Sequence, residues 1–253
     1  MTPDDLTSRT AVVVGASRGL GAGIATALAG VGARVVAVSR TAAVTAGPGD
    51  GDGDIRDIRH ETADAGEATV AGRLLDRYDP EIVVLVAGAS PHMRALQQQT
   101  WETFSVNWET DVKIAFHWLR EALLRPLRRG GRVIVVSSGA ALAGSPLSGG
   151  YAGAKATQRL ITGYAQAEAE RAGLDLTFTV VLPRFAPETD LGRSAVQAYA
   201  ARAGRSVAEF LQPMGPLVTP EIAGAAVVRL STTDHAAVAQ AYLLTGAGLQ
   251  ELS

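Results

Sequence analysis

The sequence predicts an α/β fold in which a doubly wound parallel sheet lies between two layers of helices, a three-layer α/β/α arrangement. Short apolar runs alternate along the chain with longer segments of helical periodicity. The runs are continuous and rich in β-branched residues, as expected of parallel strands that are buried on both faces. Repeated strand–helix units joined by right-handed crossovers produce such a sheet.

The elements follow from these runs in chain order. Seven strands are predicted, at 11–14, 34–39, 55–59, 82–87, 132–137, 175–182 and 241–244. Five helices are predicted between them, at 21–30, 65–77, 100–124, 151–171 and 220–230. The last helix has Thr219 as its expected N-cap and Pro220 at its first position, where a missing N–H costs nothing.

Two segments depart from this alternation. Residues 47–54 are rich in glycine and aspartate, and we interpret them as a surface loop because they lack the terminal glutamate and flanking helices of a calcium-binding EF-hand. Residues 183–216 form an insertion after the sixth strand. Its amphipathic part, 191–211, is interpreted as a helical lid over a substrate pocket, and a helix that merely packs on the domain is the alternative.

Composition restricts the class of protein. With 253 residues, 47% of them hydrophobic, the chain suits a single domain over 1–253. A net charge of −2 offers no basic surface for nucleic acid, and the absence of cysteine excludes disulfides and thiolate zinc sites. The four histidines lack metal-ligand spacing, so no metal is expected. Because residues 1–5 are polar and no apolar run reaches about 18 residues, we expect no signal peptide, no membrane association and a cytoplasmic location.

A glycine-rich turn separates the first strand from the first helix. Its glycines, Gly15, Gly19 and Gly21, permit positive φ angles and a close approach of the backbone to a ligand. The N-terminus of the following helix attracts a pyrophosphate group. Although a glycine-rich turn alone is a weak signal, its position between a strand and a helix predicts a dinucleotide site.

A tyrosine and a lysine stand four residues apart in the predicted helix 151–171. Tyr151 and Lys155 therefore share one helix face, with their Cβ atoms about 5–6 Å apart. An ammonium group beside a phenol favours the phenolate form. Ser138, thirteen residues before Tyr151, follows an apolar run that ends in hydroxyl groups. These three side chains suit acid–base chemistry at an oxygen atom.

Taken together, the glycine turn, Ser138, Tyr151 and Lys155 resemble the short-chain dehydrogenase/reductase family, specifically its single-domain members of about this length. The resemblance extends from Thr10 to about Gly248. It implies a Rossmann-type fold, a nicotinamide cofactor and the interconversion of a small-molecule alcohol and carbonyl. It also implies homodimers or homotetramers that pair through the long helices at 100–124 and 151–171.

The resemblance also implies roles for these side chains. Ser138 would donate a hydrogen bond to the substrate carbonyl, and Tyr151 would deliver a proton while hydride arrives from the nicotinamide. Lys155 would support Tyr151 and bind the nicotinamide ribose. Further expected contacts to the cofactor come from the glycine turn and from the ends of the strands: Gly15, Ser17, Arg18, Gly19, Leu20, Gly21, Ser39, Arg40, Glu61, Ala87, Gly88, Tyr151, Lys155 and Pro183. Glu61 is the candidate for the adenine contact.

The end of the second strand favours NADP(H) over NAD(H). An NAD site normally places a carboxylate there for the ribose 2′-hydroxyl, whereas an NADP site supplies arginine for the 2′-phosphate. This strand ends in Ser39-Arg40, and Arg18 in the glycine turn provides a second cation. Arginine suits phosphate because it forms charge-assisted bidentate hydrogen bonds. The alternative is that both arginines are ordinary surface charges.

Three positions depart from the family pattern. The family commonly reads Asn-Asn-Ala-Gly after the fourth strand, and here Leu-Val precede Ala87-Gly88. The asparagine of the long fourth helix is replaced by Asp111 when Phe104 and Phe116 are aligned with its usual aromatic neighbours. A rival register uses Asn107, one turn earlier on the same face. Finally, Arg184 follows Pro183 where the family has glycine, and it would meet an acidic group of substrate or cofactor or point to solvent.

The leading interpretation is an NADPH-dependent carbonyl reductase that operates in either direction. The departures at Asp111 and Arg184 keep open a non-redox enzyme on the same scaffold, a dehydratase or an isomerase. A regulator that binds the cofactor without turnover is the third possibility, and it has little physical need for Ser138, Tyr151 and Lys155.

Overall fold

The computed structural model describes residues 6–41 and 58–252, which form an eight-stranded sheet flanked by helices. The strands are β1 Thr10–Val14, β2 Arg34–Ser39, β3 Ile58–Thr62, β4 Ile82–Leu85, β5 Gly131–Val136, β6 Leu176–Pro183, β7 Ala241–Thr245 and β8 Gly248–Glu251. Their spatial order is β3-β2-β1-β4-β5-β6-β7-β8. Neighbouring strands pair in parallel except for β7 and β8, which form an antiparallel hairpin. The predicted doubly wound α/β sheet is confirmed.

The helices cover both faces of this sheet. They are α1 Gly19–Gly30, α2 Val70–Tyr78, α3 Trp101–Asn107, α4 Lys113–Leu124, α5 Ala140–Ala143, α6 Gly149–Arg171, α7 Asp190–Arg202, α8 Val207–Leu211 and α9 Pro220–Thr232, with a π-helical segment at Trp108–Val112. Thr219 caps α9 as predicted, since its hydroxyl accepts a hydrogen bond from the Ile222 amide at 3.3 Å.

Alternate residues of the central strands enter two separate cores. Val12 and Val14 of β1 pack with residues of α2, α4 and α6, whereas Ala11 and Val13 pack with residues of α1 and α9. Each of these β1 residues is at most 1% exposed. A strand buried on both faces has no polar position, which explains why its sequence is a continuous apolar run.

The edge strands of the sheet differ from the prediction because exposed strands lack the continuous apolar run that marks a buried one. The third strand was predicted at 55–59. Residues 55–57 lie outside the described residues, and the described strand, Ile58–Thr62, extends three residues beyond the predicted end; its exposed residues Arg59 and His60 interrupt any apolar run. The strand β8, which was not predicted, is short and largely exposed. The loop predicted at 47–54 lies outside the described residues. Within residues 6–41 and 58–252, no helix combines the length and hydrophobicity that a membrane crossing requires.

Two helical regions are also divided differently from the prediction. The long helix expected at 100–124 is interrupted by the π-helical segment, and the lid expected at 191–211 consists of two helices, α7 and α8. The short helix α5, just after β5, was not predicted. Both α5 and the π-helical segment border the site described next.

Candidate active site

A cleft of about 810 Å³ opens where β1, β4, β5 and β6 end. In doubly wound sheets, this carboxyl edge is where ligands bind. The walls are the glycine turn, the ends of these strands, the first turns of α6 and the segment that precedes and includes α7. The predicted cofactor contacts that line it are Gly15, Ser17, Arg18, Gly19, Leu20, Gly21, Ser39, Arg40, Ala87, Gly88, Tyr151, Lys155 and Pro183.

The glycine turn is as close-packed as a dinucleotide cradle requires. Gly15 and Gly19 have φ angles of 94° and 55°, which favour glycine. A Cβ on Gly21 would lie 2.1 Å from the Gly15 carbonyl oxygen, and a Cβ on Gly15 would lie 2.5 Å from the Ala87 amide nitrogen. Because no side chain fits at Gly15 or Gly21, glycine is required for the turn to pack on the start of α1 and on the segment after β4. The turn and the N-terminus of α1 line the cleft, where a helix N-terminus attracts an anionic group. The turn therefore fits the pyrophosphate of a nicotinamide cofactor.

Two of the cleft's cations come from the end of β2 and from the glycine turn. Arg40 and Arg18 both line the cleft and are largely exposed. Arg18 lies 3.4 Å from Asp190 at the start of α7, and both side chains are more than half exposed, so this ion pair is weak. A phosphate ligand can therefore compete for Arg18.

Glu61, the candidate for the adenine contact, does not line the cleft, because it lies within β3, which continues to Thr62. There it accepts a hydrogen bond from the Tyr78 hydroxyl and pairs with Arg77 at 2.9 Å. Asp64 follows the end of β3 and lines the cleft.

Ser138, Tyr151 and Lys155 all line the cleft, as predicted from their spacing. The three side chains come from the end of β5 and the first two turns of α6. The helix α6 packs closely on α3 because Gly150 lies against the α3 backbone. An added Cβ at Gly150 would lie 1.9 Å from the Phe104 carbonyl oxygen. Lys155 Nζ lies 5.5 Å from the centre of the Tyr151 ring.

The neighbouring serines differ in what they contact. Ser137 donates a hydrogen bond to the Lys155 carbonyl at 2.8 Å and so joins β5 to α6. The hydroxyl of Ser138 accepts a hydrogen bond from the Ala140 amide at 3.2 Å, which leaves its proton available to a substrate oxygen. The preference for Ser138 over Ser137 agrees with this geometry.

Asp111 lies in the π-helical segment and contacts Lys155 directly. The carboxylate is 0% exposed, and its Oδ2 atom is 3.2 Å from Lys155 Nζ in an ion pair without hydrogen-bond alignment. Its Oδ1 atom accepts hydrogen bonds from the Ala89 amide at 2.8 Å and from Asn107 Nδ2 at 3.3 Å. A Cβ on Gly88 would lie 2.7 Å from Oδ2, so glycine is required beside the carboxylate.

Asn107, the rival candidate, belongs to the same cluster in a supporting position. Its Nδ2 atom donates to the Ala89 carbonyl at 2.7 Å as well as to Asp111. The structure thus brings both candidates together, but only Asp111 is placed against the ammonium group of Lys155.

The surroundings of Lys155 stabilise its charged form. Burial alone would lower the pKa of Lys155, but the negative charge of Asp111 and the proximity of Tyr151 outweigh it, so the pKa lies above its ordinary value. Lys155 is 4% exposed, which leaves the field of its ammonium little screened by water. At neutral pH the side chain therefore carries a positive charge beside the Tyr151 ring.

Sequence reasoning missed Gln158, the next member of this cluster. Its Oε1 atom accepts a hydrogen bond from Lys155 Nζ at 3.0 Å, and its Nε2 atom donates to the Asp111 carbonyl at 2.9 Å. Gln158 is 2% exposed. Its position three residues after Lys155, on the helix face of Tyr151, was the available signal. We call Asn107, Asp111, Lys155 and Gln158 the polar floor.

The lid covers the opposite side of the cleft. Leu191, Ala195 and Tyr199 of α7 line it, together with Phe185 from the segment after β6. Thr189 caps α7 by accepting a hydrogen bond from the Gly192 amide at 3.0 Å. Arg184 also lines the cleft and is exposed. Within the described residues, no group of histidine, aspartate or glutamate side chains is arranged to hold a metal ion.

Comparisons with known proteins identify the family of this chain. A family model described as short chain dehydrogenase matches residues 9–200. The hydroxynaphthalene reductase-like protein Arp2 of Metarhizium robertsii is 28% identical over 272 residues, covering 97% of this chain and 96% of that protein. The D-beta-hydroxybutyrate dehydrogenase of Cupriavidus necator is 29% identical over 243 residues, covering 90% and 92%.

A solved structure shows the same fold. The crystal structure of a short chain dehydrogenase from Mycobacterium avium superposes with a TM-score of 0.74 at 21% identity, covering 98% of this chain and 86% of that one.

Proposed function

This chain belongs to the short-chain dehydrogenase family, and on that premise we propose that it is an NADPH-dependent reductase that converts a ketone or aldehyde into an alcohol, or catalyses the reverse reaction. The family implies an oxidoreductase with a nicotinamide cofactor. The observation that carries the finer proposal is the convergence of Ser138, Tyr151 and Lys155 on one cleft wall.

The residues of the cleft support a division of labour. When bound, the cofactor supplies the hydride. Ser138 holds its proton toward the substrate oxygen, orienting the carbonyl and stabilising the negative charge that develops there. Tyr151 transfers its proton to the same oxygen, which becomes the hydroxyl of the alcohol. Lys155 holds a positive charge beside the phenolate that Tyr151 leaves behind.

The position of Asp111 weakens the case for a non-redox reaction. A general base that abstracts a proton from substrate has to reach it, whereas the Asp111 carboxylate is 0% exposed and engaged with Lys155, Ala89 and Asn107. We propose that Asp111 acts on Lys155 rather than on substrate.

We propose NADPH rather than NADH because Arg40, which follows β2, and Arg18, in the glycine turn, both line the cleft. A 2′-phosphate there would gain two charge-assisted partners. Asp64, at the end of β3, is the proposed contact for the adenine in place of Glu61.

The experiment mixes the protein with either cofactor and a panel of ketones, and follows nicotinamide absorbance. Turnover is expected with NADPH, and Arg40→Asp is expected to erase or invert the cofactor preference because a carboxylate repels the phosphate. Arg229→Asp, an exposed arginine of α9 outside the cleft, is the matched control and should keep the preference.

Two results would contradict the proposal. Equal affinity of the unmodified protein for NADPH and NADH, measured by calorimetry, would remove the role of Arg40. Cofactor binding without turnover of any ketone would favour a regulator, and product formation without a change in absorbance would favour a non-redox enzyme.

A further inference from the structure

The lid contains a cluster of three aromatic rings that the chemistry described above does not use. Tyr199 and Phe210 are nearly parallel, with ring centres 6.3 Å apart and an interplanar angle of 8°. Phe185 meets both edge-on, at 6.2 Å from Tyr199 and 5.9 Å from Phe210. These distances lie in the range of favourable aromatic pairs. The cluster joins α7 and α8 to the end of β6.

Only part of this cluster faces the cleft. Phe185 and Tyr199 line it, whereas Phe210 does not line it and stacks on Tyr199. The lid and the segment around α5 also contribute apolar lining residues: Leu142, Ala143, Pro146, Leu191 and Ala195. A flat apolar group entering here would meet ring surfaces and aliphatic carbon.

Hydroxyl groups border the same rings. The Tyr199 hydroxyl is hydrogen-bonded to Ser145, and Ser145 is hydrogen-bonded to Ser148, the residue that precedes α6. Each hydroxyl has one donor and two acceptor positions, so a chain of three retains capacity for another oxygen. Ser148 lies three residues before Tyr151 in sequence, and Ser145, Ser148 and Tyr199 all line the cleft.

From these contacts we infer that Phe185 and Tyr199 form a binding site for an aromatic ring, and that the substrate is a planar aryl-fused ketone with a second oxygen. The carbonyl lies at Ser138 and Tyr151, the ring lies against Tyr199, and the second oxygen bonds to the Tyr199–Ser145 hydroxyls. The inference rests on the proposed reductase function and adds the substrate class to it.

A small β-keto acid is the competing class. Its carboxylate would rely on Arg184, the arginine that lines the cleft next to the lid, and it would gain nothing from the rings. Binding of an aryl ketone would depend on the Tyr199 ring, whereas binding of a β-keto acid would not. Substitution of Tyr199 therefore distinguishes the two substrate classes.

The test compares four ketones: 2-tetralone, 6-hydroxy-2-tetralone, cyclohexanone and acetoacetate. In each case NADPH is oxidised, its hydride adds to the carbonyl carbon and the Tyr151 proton adds to the oxygen, so differences in kcat/KM report recognition. The unmodified protein is expected to prefer the tetralones over cyclohexanone by roughly tenfold, the scale of one good ring contact. The 6-hydroxy compound is expected to be the best of the four.

Variants of Tyr199 separate its ring from its hydroxyl. Tyr199→Leu should reduce the preference for 2-tetralone over cyclohexanone by roughly two- to tenfold, mainly through KM. Tyr199→Phe should keep that preference and lose the advantage of 6-hydroxy-2-tetralone. Tyr164→Leu replaces an exposed tyrosine of α6 outside the cleft and should change neither ratio.

A binding measurement keeps this inference separate from the reductase proposal. Calorimetry with 2-naphthol, which offers a ring and a hydroxyl but no ketone, should show binding to the protein–NADPH complex that Tyr199→Leu weakens. Turnover of acetoacetate in preference to the tetralones would overturn the inference and leave the reductase function standing. An undiminished tetralone preference in Tyr199→Leu, or no binding of 2-naphthol, would also overturn it.

Discussion

The polar floor and the lid enclose the same cleft but are built from different interactions. In the floor, Asp111 and Lys155 are 0% and 4% exposed and are surrounded by hydrogen bonds to Asn107, Gln158 and backbone. In the lid, partly exposed aromatic rings pack on one another, and the polar contacts are hydroxyls.

This difference indicates which part of the cleft controls which property. Removing one partner of a buried ion pair leaves an uncompensated charge, so the floor tolerates little change. A ring of the lid can be exchanged for another apolar side chain without exposing a buried charge. We therefore expect changes in the floor to alter the chemistry and its pH dependence, and changes in the lid to alter the choice of substrate.

Among changes in the polar floor, the largest expected effect is a shift in the pH dependence of alcohol oxidation in Asp111→Asn. In the unmodified protein, the Asp111 carboxylate offsets part of the ammonium field that favours the Tyr151 phenolate. It also raises the pKa of Lys155 against the effect of burial. Without the carboxylate, Lys155 is expected to lose its proton at lower pH, because burial then acts on its charge with less opposition.

The alkaline limb of the oxidative rate profile, where Lys155 loses its positive charge, should therefore move to lower pH by about one unit, the scale of one close charge. Alcohol oxidation by the variant, measured at saturating cofactor from about pH 6 to pH 11, a range that includes the ordinary pKa of lysine, checks this shift. Reduction, which uses the protonated tyrosine, should change much less near neutrality. An unchanged profile in Asp111→Asn together with a shift in Asn107→Ala would assign the position to Asn107 instead.

A smaller effect is expected from Gln158→Met, which keeps the approximate size of the side chain but removes both hydrogen bonds. Lys155 then loses a neutral acceptor and keeps its ion pair with Asp111, so the pH profile should stay in place. The KM for NADPH should rise about fivefold, corresponding to one hydrogen bond that positions the ammonium. Gln158→Glu should restore the acceptor to Lys155 and recover part of this loss.

Steady-state kinetics and the pH profile of Gln158→Met distinguish positioning from simple stability. If kcat falls while the KM for NADPH stays constant, Gln158 does not position Lys155. If Gln158→Met changed the preference among ketone substrates as much as it changed the KM for NADPH, the polar floor and the lid would not be separate in function.

The parts of the fold that the sequence predicts are those with a local signal. The central strands were located because burial on both faces produces continuous apolar runs, as in β1 and β5. Tyr151 and Lys155 were found because their spacing within one helix already fixes their proximity. The exposed strands β3 and β8 carry no such pattern, which explains the shifted bounds of one and the omission of the other.

Features that depend on distant parts of the chain could not be read from the sequence. No proline or glycine marks the π-helical segment Trp108–Val112, and the carbonyl of Asp111 is bonded by Gln158, 47 residues away. The Tyr199–Ser145 contact spans 54 residues in the same way. Glu61 was selected because the family resemblance places the adenine contact just after the third strand. The strand end was not located closely enough from the sequence to show that Asp64, and not Glu61, lines the cleft.

The central claim is that the Tyr151 hydroxyl is the proton donor above the polar floor. The most direct test is ketone reduction by Tyr151→Phe, with NADPH affinity measured by calorimetry on the same preparation. Turnover is expected to fall by about two orders of magnitude or more, while cofactor affinity is retained, because only the acid is removed. Tyr164→Phe, on the same helix but outside the cleft, should behave as the unmodified protein does. Turnover near that of the unmodified protein in Tyr151→Phe would contradict the claim.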